Sequence, residues 1–229
     1  MKNTIDRRDF IKTAGVTALA ISPIGFLSGC GSRTKAPGSE PQKAGEMTYR
    51  INEAKNDKVS ILGYGCMRWP MKKNEEGKDI IDQEKVNELI DYALEKGVNY
   101  FDAAPVYLQG QCEAATGEAL SRHPRESYFV ATKLSNFNDA SRAEGIRMYK
   151  ASLEAFRTDY LDYYLLHSIK NAATFTKRFV DNGLIDFLME ERKAGRIRNL
   201  GFSFHGSKEG FDELMSLHEK YHWDFVQIQ

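Results

Sequence analysis

The hydrophobic pattern alternates, from about residue 59 onward, between short apolar runs and amphipathic segments. The apolar runs lie at 59–67, 98–101, 128–133, 161–167, 199–205 and 224–229. Helical spacing of apolar residues recurs between them, at 84–96, in CEAATGEALSR, and around 139–156, 174–194 and 208–221. The runs are nearly continuous rather than strictly alternating, which is typical of parallel strands covered by helices. The pattern therefore predicts a repeated strand–helix fold.

Two segments, LEKGVNYF and ERKAGRIRNLGF, join helix to strand in the same way, with Gly97 and Gly195 as the predicted capping glycines. No GxGxxG follows a strand, so the doubly wound nucleotide-binding fold lacks its fingerprint. The better interpretation is an α/β fold of the (β/α)8 TIM-barrel class. Such a barrel has eight strands, and six are recognisable here. We therefore expect a barrel truncated after about six strands, either an incomplete chain or one completed from outside.

The N-terminal segment has a different character. DRRDFIK at 6–12 precedes an apolar stretch that ends in LSGC at 27–30. The stretch is shorter than the roughly 20 residues that span a membrane, and its order of charged, apolar and small residues is typical of a signal peptide. The arginine pair resembles a twin-arginine signal, and LSGC resembles a lipobox that is lipidated at Cys30. The alternative is an amphipathic first helix with a buried cysteine.

These features predict three regions: a signal peptide at 1–30, a flexible Gly-, Pro- and Ser-rich linker at 31–46, and the barrel domain at 47–229. We expect an exported lipoprotein, anchored to the membrane by its lipid and located in the periplasm or elsewhere outside the cytoplasm. Twin-arginine export moves folded proteins, which is consistent with a cofactor loaded before export.

Composition excludes some classes of function. Lys and Arg total 32, as do Asp and Glu, so no basic excess favours nucleic acid as a partner. The three cysteines are Cys30, Cys66 and Cys112, and none forms a CxxC pair. A zinc site or an iron–sulfur cluster built from this chain alone is therefore not expected.

Polar residues recur at the C-terminal ends of the predicted strands, at Asp102, Lys133, His167, Ser203 and Gln227. Most of their separations match one βαβ unit, which takes about 30 residues or more. In a parallel barrel they would converge on the rim that carries the active sites of barrel enzymes. Each residue alone has a structural explanation, such as a turn cap or a core histidine, but five in register indicate a site.

The chemistry of this set points to proton transfer. Tyr107 lies five residues past Asp102, in the loop that would overhang the rim. A tyrosine has a reference pKa of about 10, and a nearby ammonium favours its phenolate form. Lys133 can supply that charge, and Asp102 can hold Lys133 charged. With His167 available to bind a carbonyl oxygen or share the proton relay, the set predicts carbonyl reduction by hydride transfer, with Tyr107 as general acid.

At this point the residues resemble a known family, the aldo/keto reductases, from about Val59 to Gln229. The motifs that carry the resemblance are GVNYFDAAPVY, GEAL, YFVATK, SLEAFRTDYLDYYLLH, GRIRNLGFSFHG and DFVQIQ. The resemblance implies a (β/α)8 barrel, NADP(H) as cofactor, a small carbonyl compound as substrate, and a catalytic tetrad of Asp102, Tyr107, Lys133 and His167.

The resemblance also implies cofactor contacts. Ser203 and Gln227 match the family's serine and glutamine that hold the nicotinamide carboxamide. The family's asparagine position is Phe204 here, with His205 next as a candidate contact. GFSFH resembles a branch whose members often carry an iron–sulfur segment after the barrel, so any such cluster would lie beyond Gln229.

The family's seventh strand and eighth region, which hold most of the cofactor, would also lie beyond Gln229. We therefore expect this chain to be a fragment with impaired NADP(H) binding. Outside the cytoplasm, either the cofactor travels bound or electrons arrive from another redox partner.

Two other interpretations stay open. One is a metal-dependent barrel hydrolase that uses Asp102, His167 and His205. The other is a non-catalytic surface lipoprotein that keeps the barrel as a scaffold. Trp69, after the first strand, is a candidate for the wall of a substrate pocket, and packing against the rim is the alternative.

Overall fold

The structure is a computed structural model, and it describes residues 46–137 and 141–228. The chain divides into two units after Pro41, and every described residue belongs to the second, Gln42–Gln229. Among the described residues, no helix is long and apolar enough to cross a membrane.

The predicted signal peptide at 1–30, including Cys30, lies outside the described residues, and so does most of the predicted linker at 31–46. Export and lipidation therefore stay predictions.

Ten strands are present in the described part of the chain: β1 Tyr49–Asn52, β2 Asp57–Ser60, β3 Tyr64–Gly65, β4 Met71–Lys73, β5 Asp79–Ile81, β6 Tyr100–Asp102, β7 Phe129–Leu134, β8 Leu161–Ile169, β9 Ile197–Phe204 and β10 Phe225–Ile228. The α-helices are α1 Gln83–Glu95, α2 Cys112–Leu120, α3 Arg142–Ala155, α4 Ala172–Phe175, α5 Leu184–Lys193, α6 Lys208–Ser216 and α7 His218–Tyr221. A π-helical turn, Thr176–Val180, follows α4 directly.

Six of the strands form one parallel sheet in the order β10-β9-β8-β7-β6-β3. Each strand therefore pairs with its neighbour in the repeat, and helices form the connections. This confirms the predicted fold class: the sheet is part of a (β/α)8 barrel, with two strands fewer than the complete barrel has. The predicted capping glycines are confirmed as well, because Gly97 and Gly195 have φ of 84° and 79° after α1 and α5.

The two faces of the sheet bury different side chains, because neighbouring residues of a strand point to opposite sides. The face toward the helices carries the main core, with Phe101, Val130, Tyr164 and Phe202. The inner face carries a smaller apolar cluster, made of Ala131, Tyr163 and Leu165 with Val59, Tyr100, Phe129 and Phe225 packed against it. From β6 to β10, a polar residue lies on this face near the carboxyl end of each strand, so the inner face leads from an apolar floor to a polar rim.

The β1–β2 hairpin closes the amino end of the inner face. Asp57 on β2 is buried and accepts hydrogen bonds from the Arg198 guanidinium at 2.7 Å and from the Tyr163 hydroxyl at 3.3 Å. Val59 of the same strand packs against the inner cluster. The hairpin thus packs on the amino end, and the polar side chains of the inner face lie at the opposite, carboxyl end.

Some predicted elements differ in extent. The run at 59–67 is not one strand: the backbone N–H of Ser60 donates to Asn99 Oδ1, its hydroxyl to the Leu62 carbonyl, and the chain turns before β3 and a 3₁₀ turn, Cys66–Arg68. The predicted helix at 174–194 is interrupted by the π turn, and the one at 208–221 breaks into α6 and α7. The β4–β5 hairpin was not predicted.

Candidate active site

Lys133 is buried near the carboxyl end of β7, and its ammonium group has two acceptors. Its Nζ donates to Asp102 Oδ1 at 2.6 Å and to the Ala103 carbonyl at 2.7 Å. The register explains the contact: Ala131 pairs with Asp102, and Lys133 shares the inner face with Ala131 one pleat further along. Only 2% of Lys133 is exposed, so this carboxylate is the counter-charge of a buried group.

Asp102 ends β6 and is largely buried. Burial raises the pKa of its carboxyl group, and the Lys133 ammonium opposes that rise through its charge and its hydrogen bond. The second oxygen, Oδ2, is buried and accepts no hydrogen bond from the described residues. This side of the carboxylate is therefore an acceptor without a donor.

Tyr107 lies in a short turn, Tyr107–Gly110, that follows β6. Its ring centroid is 5.1 Å from Lys133 Nζ and 5.9 Å from the His167 ring, which it meets edge to face. Thus the loop after one strand brings a phenol beside an ammonium from the next strand and an imidazole from the one after.

The backbone after Tyr107 is left-handed over three residues, Leu108, Gln109 and Gly110, with φ of 50°, 56° and 88°. A non-glycine residue in this conformation costs roughly 1–2 kcal/mol. This run turns the chain sharply into α2 and thereby fixes where Tyr107 stands.

We expect Gln109→Gly to raise the free energy of unfolding by about 1 kcal/mol, because Gln109 is exposed and glycine removes the left-handed strain. Urea unfolding monitored by circular dichroism measures the change. Gln109→Ala is the matched control, since it retains Cβ and the strain and should leave stability nearly unchanged. Equal stability for the glycine and alanine variants would contradict the prediction.

His167, on β8, is 7% exposed and its Nδ1 lies 2.6 Å from the Ser135 hydroxyl. Burial, together with the charges of Lys133, Arg178 and His205, lowers the pKa of His167 to about 3. The imidazole is therefore neutral near pH 7. A neutral ring can donate or accept a hydrogen bond at Nε2 while Nδ1 is engaged.

The residues predicted to contact a cofactor lie on β9, β10 and the loop between them. Ser203 is buried, and its Oγ accepts a hydrogen bond from the backbone N–H of Ser168 at 2.8 Å. Gln227 is exposed and pairs in register with Ser203, on the same face of the sheet. His205 is exposed in the loop after β9, whereas Phe204 turns to the helix side and packs against Phe211.

Trp69 lies in the core, away from these residues. It is 3% exposed, stacks on Tyr64 with ring centroids 5.1 Å apart, and donates from Nε1 to the Thr116 hydroxyl at 2.9 Å. This placement corresponds to the packing alternative that the sequence left open. Cys66 and Cys112 are also buried, and both are free thiols.

Sequence reasoning missed three residues around His167: Ser135, Phe137 and Arg178. Ser135 lies two residues past Lys133, so the rule that polar residues follow strand ends could have found it. Phe137 packs against the His167 ring at 4.9 Å between centroids. Arg178 is buried within the π turn, and no pattern in the sequence indicates where its side chain lies.

The fold and the site together define a parallel α/β barrel protein with a cluster of ionisable side chains at its carboxyl rim. Four neighbouring groups supply a phenol, a paired ammonium, a carboxylate and a neutral imidazole. Comparison with known proteins agrees with this class. The model of the aldo/keto reductase family matches residues 61–229, well over half of the chain. The chain therefore belongs to the aldo/keto reductase family.

Individual relatives support the assignment. "Probable aldo-keto reductase 1" of Glycine max is 31% identical over 156 residues, which cover 63% of this chain and 41% of that protein. The holo form of aldo-keto reductase AKR11C1 from Bacillus halodurans superposes with a TM-score of 0.63 at 27% identity, covering 80% of this chain and 58% of that one.

An aldo/keto reductase from Klebsiella pneumoniae in complex with NADP and acetate gives a TM-score of 0.56 at 23% identity, covering 74% and 53% of the two chains, respectively. In all three comparisons the matched part is less than two thirds of the other protein.

Proposed function

We propose that the protein is an NADP(H)-dependent oxidoreductase that reduces aldehydes or ketones to alcohols, or catalyses the reverse reaction. The observation that carries the proposal is the buried Lys133 ammonium, paired with Asp102 and close to the Tyr107 ring. A buried cation beside a phenol suits a proton that must leave the phenol for a developing alkoxide.

In this proposal each residue has one task. Tyr107 donates its proton to the carbonyl oxygen as general acid. Lys133 stabilises the phenolate that remains, and Asp102 keeps Lys133 charged and oriented. His167 is neutral near pH 7 and can donate a hydrogen bond to the substrate oxygen without adding a second positive charge. In the reverse direction the phenolate accepts the proton.

The residues at the rim fit a dinucleotide with ribose hydroxyls and a carboxamide. Asp102 Oδ2 is a buried acceptor that lacks a donor among the described residues. A ribose hydroxyl could supply that donor. Ser203 accepts one hydrogen bond through Oγ and retains its own hydroxyl proton to donate. Gln227 stands beside it at the same level of the sheet.

When bound, NADPH supplies the hydride that this chemistry requires. The family resemblance and the NADP in the Klebsiella pneumoniae neighbour support this choice of cofactor. Phe204 departs from the family pattern, which has an asparagine at this position. Its ring packs against Phe211 on the helix side and offers no polar contact to a carboxamide.

A metal-dependent hydrolase is the less favoured alternative. Across residues 46–137 and 141–228, no group of three or more His, Cys, Asp or Glu side chains could hold a metal ion. Two of the residues that this alternative would use already have hydrogen-bond partners: Asp102 binds Lys133, and His167 binds Ser135.

The test is NADPH consumption by the full-length gene product with a panel of small aldehydes and ketones. We expect turnover that depends on both NADPH and the carbonyl compound. Binding of NADPH without turnover of any carbonyl would favour the scaffold alternative, and stoichiometric bound zinc with hydrolytic activity would favour the hydrolase.

A further inference from the structure

Arg178 connects the loop after β7 to the carboxyl end of the neighbouring strand β8. Its side chain is 6% exposed. Its Nε donates to the Asn136 carbonyl at 2.5 Å, in the loop after β7, and its Nη1 donates to the Ser168 carbonyl at 3.0 Å, near the end of β8. Asn136 returns a hydrogen bond from Nδ2 to the Arg178 carbonyl at 2.7 Å. One guanidinium thus ties the loop after β7 and the end of β8 to the π turn.

Two aromatic rings hold the guanidinium in place. Its central carbon lies 5.1 Å from the Phe137 ring centroid and 4.9 Å from that of Phe179. Phe137 in turn packs on His167, and His167 meets Tyr107 edge to face. A continuous row of contacts therefore runs from the π turn to the proposed proton donor.

The backbone that Arg178 binds is unusual at the residue after His167. Ser168 has a φ of 57°, in the left-handed region. The register between β8 and β9 is irregular from Leu166 to Ile169. Irregularities of this kind often lie beside active sites and redirect a side chain. At Ser168, Ser203 binds the N–H and Arg178 binds the carbonyl, so two side chains hold the strained residue.

The π turn is a second indication of function. Turns of this type are rare and occur frequently at functional sites. Here the turn places Arg178 and Phe179 side by side in buried positions, while the preceding Lys177 is exposed.

We propose that Arg178 is a positioning residue for the active site, because it fixes Phe137 through the loop after β7 and His167 through the adjacent Ser168 on β8. This inference rests on the function proposed above, and Arg178 itself takes no part in the chemistry. The exposed part of Phe137, which is 44% exposed beside His167, then forms a fixed apolar wall at the rim.

The charges that face His167 come from three elements besides its own strand: Lys133 on β7, Arg178 in the π turn and His205 after β9. The Tyr107 ring packs against it from the loop after β6. Loss of Arg178 removes one of these positive charges and loosens the loop that buries the imidazole. Both changes raise the pKa of His167.

The first experiment titrates His167 by NMR in the histidine-labelled chain, with the signal assigned through His167→Gln. In the unmodified chain we expect His167 to stay neutral down to acid pH, consistent with a pKa of about 3. In Arg178→Met we expect its pKa to rise by about one unit or more toward the reference value of about 6.5. Arg178→Lys retains the charge but not both contacts, to the Asn136 and Ser168 carbonyls, so we expect a smaller rise.

Arg125→Met is the matched control at the opposite end of the strands. Arg125 also lies between two aromatic rings, Tyr128 and Tyr160, and donates to the carbonyls of both residues. The Arg125→Met substitution should lower the melting temperature and leave the pKa of His167 unchanged. An unchanged titration in folded Arg178→Met, or an equal shift in Arg125→Met, would overturn the proposal.

The second readout is kinetic and uses the full-length gene product. In Arg178→Met, His167 should be misplaced, and we therefore expect kcat to fall by about 10- to 100-fold with a smaller change in KM. Arg178→Lys should recover part of the loss, and full activity in Arg178→Met would count against the proposal. If the protein reduces no carbonyl compound, the proposed function fails, and the NMR titration still decides the role of Arg178.

Discussion

Tyr107→Phe is expected to lower kcat/KM for carbonyl reduction by about 10²–10⁴-fold, the usual contribution of a general acid. The substitution removes only the hydroxyl group. The phenylalanine ring retains its edge-to-face contact with His167 and its position near Lys133. The fold and the affinity for NADPH should therefore persist, and the loss should appear mainly in kcat.

The measurement is steady-state NADPH oxidation by the full-length protein, with unfolding curves to establish that the variant is folded. Tyr92→Phe provides a matched control, because Tyr92 also has a lysine near its ring, with Lys96 Nζ at 5.2 Å. Tyr92 is 61% exposed on α1, so its hydroxyl group has no part in the site. Equal rates for Tyr107→Phe and the unmodified enzyme would reject the proton-donor assignment.

Asp102→Asn is expected to have the largest effect on stability. It leaves the Lys133 ammonium buried without a counter-charge, with only the Ala103 carbonyl and the new amide as neutral acceptors among its present partners. Breaking a buried ion pair from one side typically costs about 3–5 kcal/mol. We expect a loss of unfolding free energy of about that size, together with loss of activity, because the ammonium beside Tyr107 loses the carboxylate that pairs with it and orients it.

Urea unfolding measures the change in the free energy of unfolding. The control is Asp212→Asn, which removes the carboxylate from a surface pair with Lys208, where the two side chains are 59% and 81% exposed. Solvent screens such a pair, so stability should barely change. If the two variants are equally stable, the Asp102–Lys133 pair contributes no more than a surface pair.

Much of the architecture followed from the sequence because its signals are local. Continuous apolar runs, helical spacing and a capping glycine such as Gly97 each depend on a few neighbouring residues, and they repeat with the βα unit. The rim could be inferred because parallel strands bring their carboxyl ends together. Hence Asp102, Lys133 and His167, which are far apart in sequence, are neighbours in the structure.

Other features depend on contacts that no local pattern encodes. The apolar run at 59–67 looked like one strand, but Ser60 binds Asn99 and the chain turns. The helix pattern at 174–194 gave no sign of a π turn, because its apolar spacing fits an α-helix nearly as well. From the sequence, Trp69 could have faced a ligand or the core. In the structure it lies in the core, where its Nε1 donates a hydrogen bond to the Thr116 hydroxyl.

The alternation of the strands limits how this protein can evolve. On β7, the even-numbered Thr132 donates to Glu113 on the helix side, whereas its neighbour Lys133 reaches Asp102 on the inner side. Inserting one residue into such a strand would exchange the two faces. The ammonium would then enter the helix layer and a hydroxyl would take its place at the rim. Changes of chain length are therefore tolerable in loops that carry no site residue but not within the strands, so those loops can diversify while Asp102, Lys133 and His167 keep their places.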